Sequence, residues 1–297
     1  MDAEYKKNFL HAGTIAGRVR DFGKSLIVPG ASYNEVIQKI RDKIYQSGAI
    51  PAFPPQIALN FVAAHFLPSP EEDIFFSDQL IKLDLGVCYQ GAIGDCAISI
   101  DLSGKYEHLI SAAEEALLVA EKALKVGVKV SEIGAAIEKT ITSRGLKPIR
   151  NLTGHGLGKY KVHTSPHFPN YDDKSKHTLK PGMTFAIEPF VTDGKGWIYD
   201  AGNATLFSLQ NPLHSYNGMV KEVYEIIKSF KTLPFCIHDL ITPKTPLEVV
   251  KKSIKVMLRD RVIIDYAPLV EEASGMVAQA EHSFLIDEDG AVIVTTR

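Results

Sequence analysis

Cysteine is scarce in this chain of 297 residues: Cys88, Cys96 and Cys236 are the full set, and no CxxC pair occurs. An odd, scattered trio excludes a disulfide-stapled scaffold and suits a reducing compartment. Charge of one sign is also lacking. The formal net charge is −2, which offers no global attraction to a polyelectrolyte. No apolar run reaches the roughly 18 residues needed to span a bilayer. The charged start, Met1 to Lys7, is not followed by a cleavable signal. These absences lead us to expect a soluble cytoplasmic protein with no membrane partner. A phosphate loop is missing too. Gly154-His155-Gly156-Leu157-Gly158 is glycine-rich, but it has neither GxGxxG spacing nor the Lys-Ser/Thr of a P-loop.

What is present is a hydrophobic content of 45%, enough for one large core or a core plus a smaller subdomain. Apolar residues at helical spacing predict helices over 4–26 and from Tyr33 onward. Pro51, Pro54 and Pro55 should then break the pattern, and a short strand should end at His65. Ile81 to Val87 and Gly94 to Ile100 read as strands of a hairpin turning at Tyr89-Gln90-Gly91. Helices are expected over about 105–125 and 131–144, the second capped by Ser131 and ended by Gly145. Strands follow around 147–153, 183–191, 276–287 and 291–296. This order, repeated twice, suggests two similar halves facing one another. Residues 195–262 interrupt it with two amphipathic helices and a net charge of +4, against −6 for the remainder.

The chemistry lies in polar residues set within apolar strings: Asp84, Asp95, His155, Glu188 and Glu281. A carboxylate inside an apolar strand costs several kcal/mol unless something pairs it. Four carboxylates and one imidazole need a common cation. The simplest arrangement is two divalent metals bridged by carboxylates, as in hydrolytic two-metal sites. An oxygen-rich shell with a single imidazole favours manganese, iron or cobalt over a thiolate-type zinc site.

These five residues, in this order, resemble the metal ligands of the pita-bread metallopeptidases. The flanks Gly154-His155-Gly156-Leu157-Gly158, Phe185-Ala186-Ile187-Glu188-Pro189 and Glu281-His282-Ser283 resemble those of methionine aminopeptidases. The helical insertion between the glutamates resembles the type II branch in its compact, archaeal-like form. The resemblance runs from about residue 4 to the end. It implies an α+β pita-bread fold with pseudo-twofold halves and a curved antiparallel sheet flanked by helices. It also implies a catalytic domain of residues 1–194 and 263–297, with 195–262 as a helical insertion subdomain. The implied activity is removal of the initiator methionine from nascent chains, with a small second residue, by a monomer holding two divalent ions (cobalt, manganese, iron or zinc). Asp84 would hold one metal, Asp95 and Glu281 would bridge the two, and His155 and Glu188 would complete the ligand set of the second metal, Glu188 also shuttling a proton. His65 and His163 would contact substrate, and Phe53 and Pro54 would wall the methionine pocket. Counted along one extended run, the eight-residue spacing of His163 from His155 would put both on one face.

Blander readings compete. Each acid taken singly is an exposed carboxylate, and His65 or His163 a neutral core histidine. Cys96 and His282, each next to a ligand, should point the other way, and His167, His177, His214 and His238 carry no implied role. Lys251, Lys252, Lys255 and Arg259 form a solvated face, or else one that docks transiently on ribosomal RNA. Two rival functions share the fold. A proline-specific aminopeptidase or dipeptidase usually carries a sizeable domain ahead of the first aspartate. A non-enzymatic relative would have lost ligands.

Overall fold

The computed structural model describes residues 1–212 and 214–297. The first half opens with α1 (Ala3–Leu26) and α2 (Tyr33–Gln46). Asp2 caps α1 by accepting from the amides of Glu4 and Tyr5, and Ser32 caps α2 through Glu35, satisfying amides that have no partner within the helix. Then come β1 (Ile50–Leu59), β2 (Val62–Ala64), β3 (Leu80–Tyr89) and β4 (Ala92–Asp101). Strands β1, β3 and β4 form an antiparallel sheet in that order. Both helices pack on it through a core that includes Ile15, Val19, Ile40, Ile81, Leu83 and Cys96.

The prolines at 51, 54 and 55 do not break the chain as expected. They lie within β1, a ten-residue edge strand. Its register against β3 slips between Pro51 and Phe53 and again between Phe53 and Gln56. An edge position and bulges are where a residue without an N–H is tolerated.

The second half repeats the plan. Helices α3 (Glu107–Ala123) and α4 (Val130–Ser143) precede β5 (Lys147–Pro148), β6 (Thr153–Gly158), β7 (Lys161–Pro169), β8 (Thr184–Ile187) and β9 (Phe190–Thr192). Gly145 ends α4 with a positive φ of 73°. Ser131 is not its cap: it lies inside the helix, whose cap position is Lys129. The strand expected over 147–153 is two short strands, β5 and the start of β6, separated by a turn.

Beyond β9 come β10 (Ile198–Asp200), β11 (Leu206–Leu209), α5 (Gly218–Ser229), β12 (Phe235–Cys236), α6 (Ile237–Leu240), α7 (Leu247–Arg259), β13 (Ile263–Tyr266) and β14 (Leu269–Glu271). Helices α5 and α7 share a core of their own with the β12–β11–β13 sheet, built on Phe207, Val223, Ile227, Phe235, Val250 and Met257. The chain closes with β15 (Val277–Gln279), β16 (His282–Ile286) and β17 (Val292–Val294). Strand β16 lies between β17 and β8 in a five-stranded sheet that continues to β6 and β7.

The two halves are stitched along one seam. The amide of Glu281 donates to the Ala97 carbonyl at 3.2 Å. Ser283 Oγ accepts from the Asp95 amide and donates to the Asp95 carbonyl, both at 2.8 Å. Among the described residues, no helix is long and apolar enough to cross a membrane.

Candidate metal centre and substrate cavity

The two aspartates come from the β3–β4 hairpin. Gly86 faces Asp95 and Asp84 faces Ala97 across the pair, so the two carboxylates sit diagonally on one face of the sheet. Glu188 and Glu281 are not inside strands as expected. Glu188 follows β8 in the break before β9, and Glu281 fills the break between β15 and β16. A strand break frees a side chain from the alternating pleat, and here it lets both glutamates turn toward the hairpin.

His155 enters on β6 and His163 on β7. Their rings meet edge to face with centroids 4.3 Å apart. The evenness of their spacing is not the cause. They belong to two strands of a tight hairpin with an irregular register, in which His155 lies opposite His167.

The glycines around His155 have a packing role. A Cβ on Gly154 would lie 2.4 Å from the Ala186 carbonyl oxygen, and one on Gly156 would lie 2.5 Å from Thr164 Oγ1. Only glycine lets β6 sit this close to β8 and β7, which sets the depth of the imidazole.

All nine residues singled out in the sequence line one cavity of about 250 Å³. Asp95, His155 and Glu281 are buried and bring one ligand atom each within 4.8 Å of one another. His155 Nε2 is 3.9 Å from Asp95 Oδ2 and 3.7 Å from Glu188 Oε1. Those spacings are long for hydrogen bonds, but two ligands of one ion at about 2.1 Å lie roughly 3–4 Å apart. His155 Nδ1 is 3.3 Å from the Gly156 carbonyl. Donating there fixes the tautomer and leaves the Nε2 lone pair facing the acids.

Burial raises the Asp84 carboxyl to about 7. Burial, then its neighbours' charges, pushes Asp95, Glu188 and Glu281 well above the usual carboxylate range. Burial and then His163 lower His155 to about 3, so it offers a neutral lone pair. Asp84 Oδ1 and Asp95 Oδ1 are buried with no hydrogen-bond partner among the described residues. Orphaned carboxylate oxygens facing a neutral imidazole are what a divalent cation would satisfy. The donor set fits such an ion.

Around this cluster, Phe53, Pro54, Leu152, Val162, Phe190 and Leu206 give the cavity an apolar wall. His65 has a left-handed backbone, φ 59°, and its ring meets Tyr266 edge to face at 5.6 Å. Burial, and next His163, lowers its imidazole to about 4. Burial, and next His167, also lowers His163. Cys96 packs in the core behind the hairpin, and His282 Nδ1 lies 2.9 Å from Thr296 Oγ1.

Sequence reasoning passed over several residues in or beside the cavity. His167 lines the cavity although it had no implied role. Gln279 Nε2 donates to Glu188 Oε2 at 3.2 Å. Gln56 stands opposite Asp84 in the β1–β3 register. The available signal for both glutamines was a polar residue inside an apolar string.

Comparison with known proteins gives the following. The sequence profile of metallopeptidase family M24 matches residues 7–286. The chain is 39% identical to a methionine aminopeptidase of Archaeoglobus fulgidus, over 99% of this chain and 100% of that protein. Its fold is similar to the crystal structure of a Thermotoga maritima methionine aminopeptidase, with a TM-score of 0.73 at 21% identity, covering 100% of this chain and 98% of the other. It is also similar to a thermophilic Arx1, with a TM-score of 0.87 at 13% identity, covering 99% and 91%.

Proposed function

The chain belongs to metallopeptidase family M24, and from that premise we propose that it removes N-terminal methionine from peptides and nascent chains. The observation that carries this reading is the convergence on one cavity of four carboxylates, Asp95 and Glu281 buried and Asp84 and Glu188 half-buried, with one neutral imidazole. Asp84, Asp95, His155, Glu188 and Glu281 would hold two divalent ions. Bound there, such ions supply Lewis-acid polarisation of the scissile carbonyl and lower the pKa of water.

The chain's own groups do the rest. Glu188, held by the Gln279 amide, takes a proton from the attacking water and returns it to the departing amine. His163 and His65 line the same cavity; a ring N–H of His163 donates to the peptide oxygen, and a ring lone pair of His65 accepts from the peptide N–H, holding the reacting bond in place. Phe53, Pro54 and their apolar neighbours receive the unbranched side chain. The enclosed space near the cluster favours a small second residue. Residues 195–262 act as a wall over one side, since Leu206 and Pro234 reach the cavity from them, and the enzyme works as a monomer.

The test is metal-dependent turnover of a Met-Ala peptide against an Ala-Pro peptide. Cleavage of Met-Ala alone, at a metal stoichiometry near two, supports the reading. Preference for Ala-Pro overturns the substrate assignment, and full activity after chelation overturns the metal assignment.

A further inference from the structure

Gln56 is 6% exposed and lines the cavity, yet among the described residues its carboxamide makes no hydrogen bond, and Oε1 is buried without a partner. Buried amides are normally satisfied, so one left open beside a substrate cavity points to a ligand atom. Its surroundings narrow the choice. On one side is Asp84, opposite it in the strand register. Asp84 Oδ1 is also unpartnered, so the two side chains do not satisfy one another, and a cation on Asp84 would remove that acceptor altogether. The same cavity is lined by the apolar Phe53, Pro54, Leu152 and Phe190. The α-amine of a substrate is a donor and finds carboxylates close by. The methionine sulfur is a weak acceptor, which an unengaged amide N–H of the lining can meet.

We infer that Gln56 is a specificity-determining residue: its Nε2–H donates to the thioether sulfur of the methionine being removed. The amide can present nitrogen where oxygen is placed by a half-turn about its last bond. The inference rests on the proposed methionine-removing activity and deepens it. An apolar pocket alone would accept methionine and norleucine alike, because they differ only by sulfur against methylene. A pocket with an open amide penalises norleucine, which leaves that amide unpaired.

The test compares kcat/KM for Met-Ala-Ser and norleucyl-Ala-Ser peptides in the metal-loaded enzyme, its Gln56→Leu variant and its Gln56→Met variant. The parent should prefer methionine by about fivefold or more, the order expected of one modest hydrogen bond. Either variant should bring the two substrates close to parity, chiefly by improving norleucine, at unchanged metal content. Parity in the parent, or an undiminished preference in a folded variant, overturns the inference. A parent that cleaves neither peptide overturns the proposed activity instead.

Discussion

Asp95 is buried beside Asp84, Glu188 and Glu281, whose charges add to the cost of its own ionisation. In the chelated protein that repulsion is uncompensated, so the residue we propose to serve a metal destabilises the metal-free fold. Asp95→Asn should therefore lose bound metal and turnover, while the chelated variant is more stable than the chelated parent by about 1–3 kcal/mol. Metal analysis and thermal melts with and without chelator check both halves; a chelated variant that melts lower sinks the electrostatic account. His65 carries a second signature. Its folded value is about 4, below the unfolded histidine value of 6.5. A depressed imidazole binds its proton more readily in the unfolded chain, so stability present above pH 6.5 is lost as pH falls toward 4. The span of about 2.5 units sets an upper limit of about 3 kcal/mol, less what solvent at the cavity mouth screens. The chelated His65→Asn variant should lose less stability than its parent between pH 6.5 and 4, measured by denaturant melts, and a parallel pair of curves would refute this.

At the level of elements, β6 carries the finest tolerance. A Cβ on Gly154 would meet backbone atoms of Ala186 and Ile187, at 2.4 and 3.1 Å, and Ile187 immediately precedes Glu188. Backbone cannot swing aside as a side chain can. Gly154→Ala should cost about 2–3 kcal/mol of stability and weaken metal binding through both His155 and Glu188. Normal stability with normal metal affinity would show that β6 and β8 are looser than this packing implies. The same strand shows what could be read from the sequence. The identity of the cavity residues was legible because acids and a histidine stand out against Val, Ile, Leu and Phe. The β3–β4 hairpin was legible from its alternation and its Gln90-Gly91 turn. The element carrying each group was less so. Glu188 and Glu281 leave their strands at breaks fixed by pairing between the halves, a contact more than 180 residues apart in the case of Asp95 and Ser283. Strand β1 was hidden because proline propensity is local, while an edge position and two bulges are tertiary facts. Ser131 had the chemistry of a cap two residues too late, and Gln56 had no charge to mark it.

Across the whole molecule, the mildly basic segment 195–262 is joined to the acidic remainder by more than backbone. Arg41 of α2 pairs with Asp239 of α6, and Lys251 of α7 bonds Glu71 at 2.7 Å. Arg259 is engaged by its neighbour Asp260 at 3.0 Å. Two of the four cations of the α7 face are thus already paired with acids, leaving Lys252 and Lys255 exposed. A face half-neutralised by the protein's own carboxylates is a weak polyelectrolyte ligand, so any ribosomal contact through it should be salt-sensitive. Changing Lys251, Lys252, Lys255 and Arg259 to Gln removes two exposed ion pairs, each worth under about 1 kcal/mol, and touches nothing in the cavity. Turnover of short methionyl peptides should stay within about twofold of the parent and the fold should persist, a change too small to mark a lost transition-state contact. Co-sedimentation with ribosomes, measured at low and physiological salt, reads the other half: loss in the variant at low salt assigns α7 to RNA, and equal sedimentation removes it from that role. A large fall in short-peptide turnover with the circular dichroism spectrum unchanged would mean that α7 positions the cavity wall at Leu206 and Pro234, and that the insertion cannot be separated from catalysis.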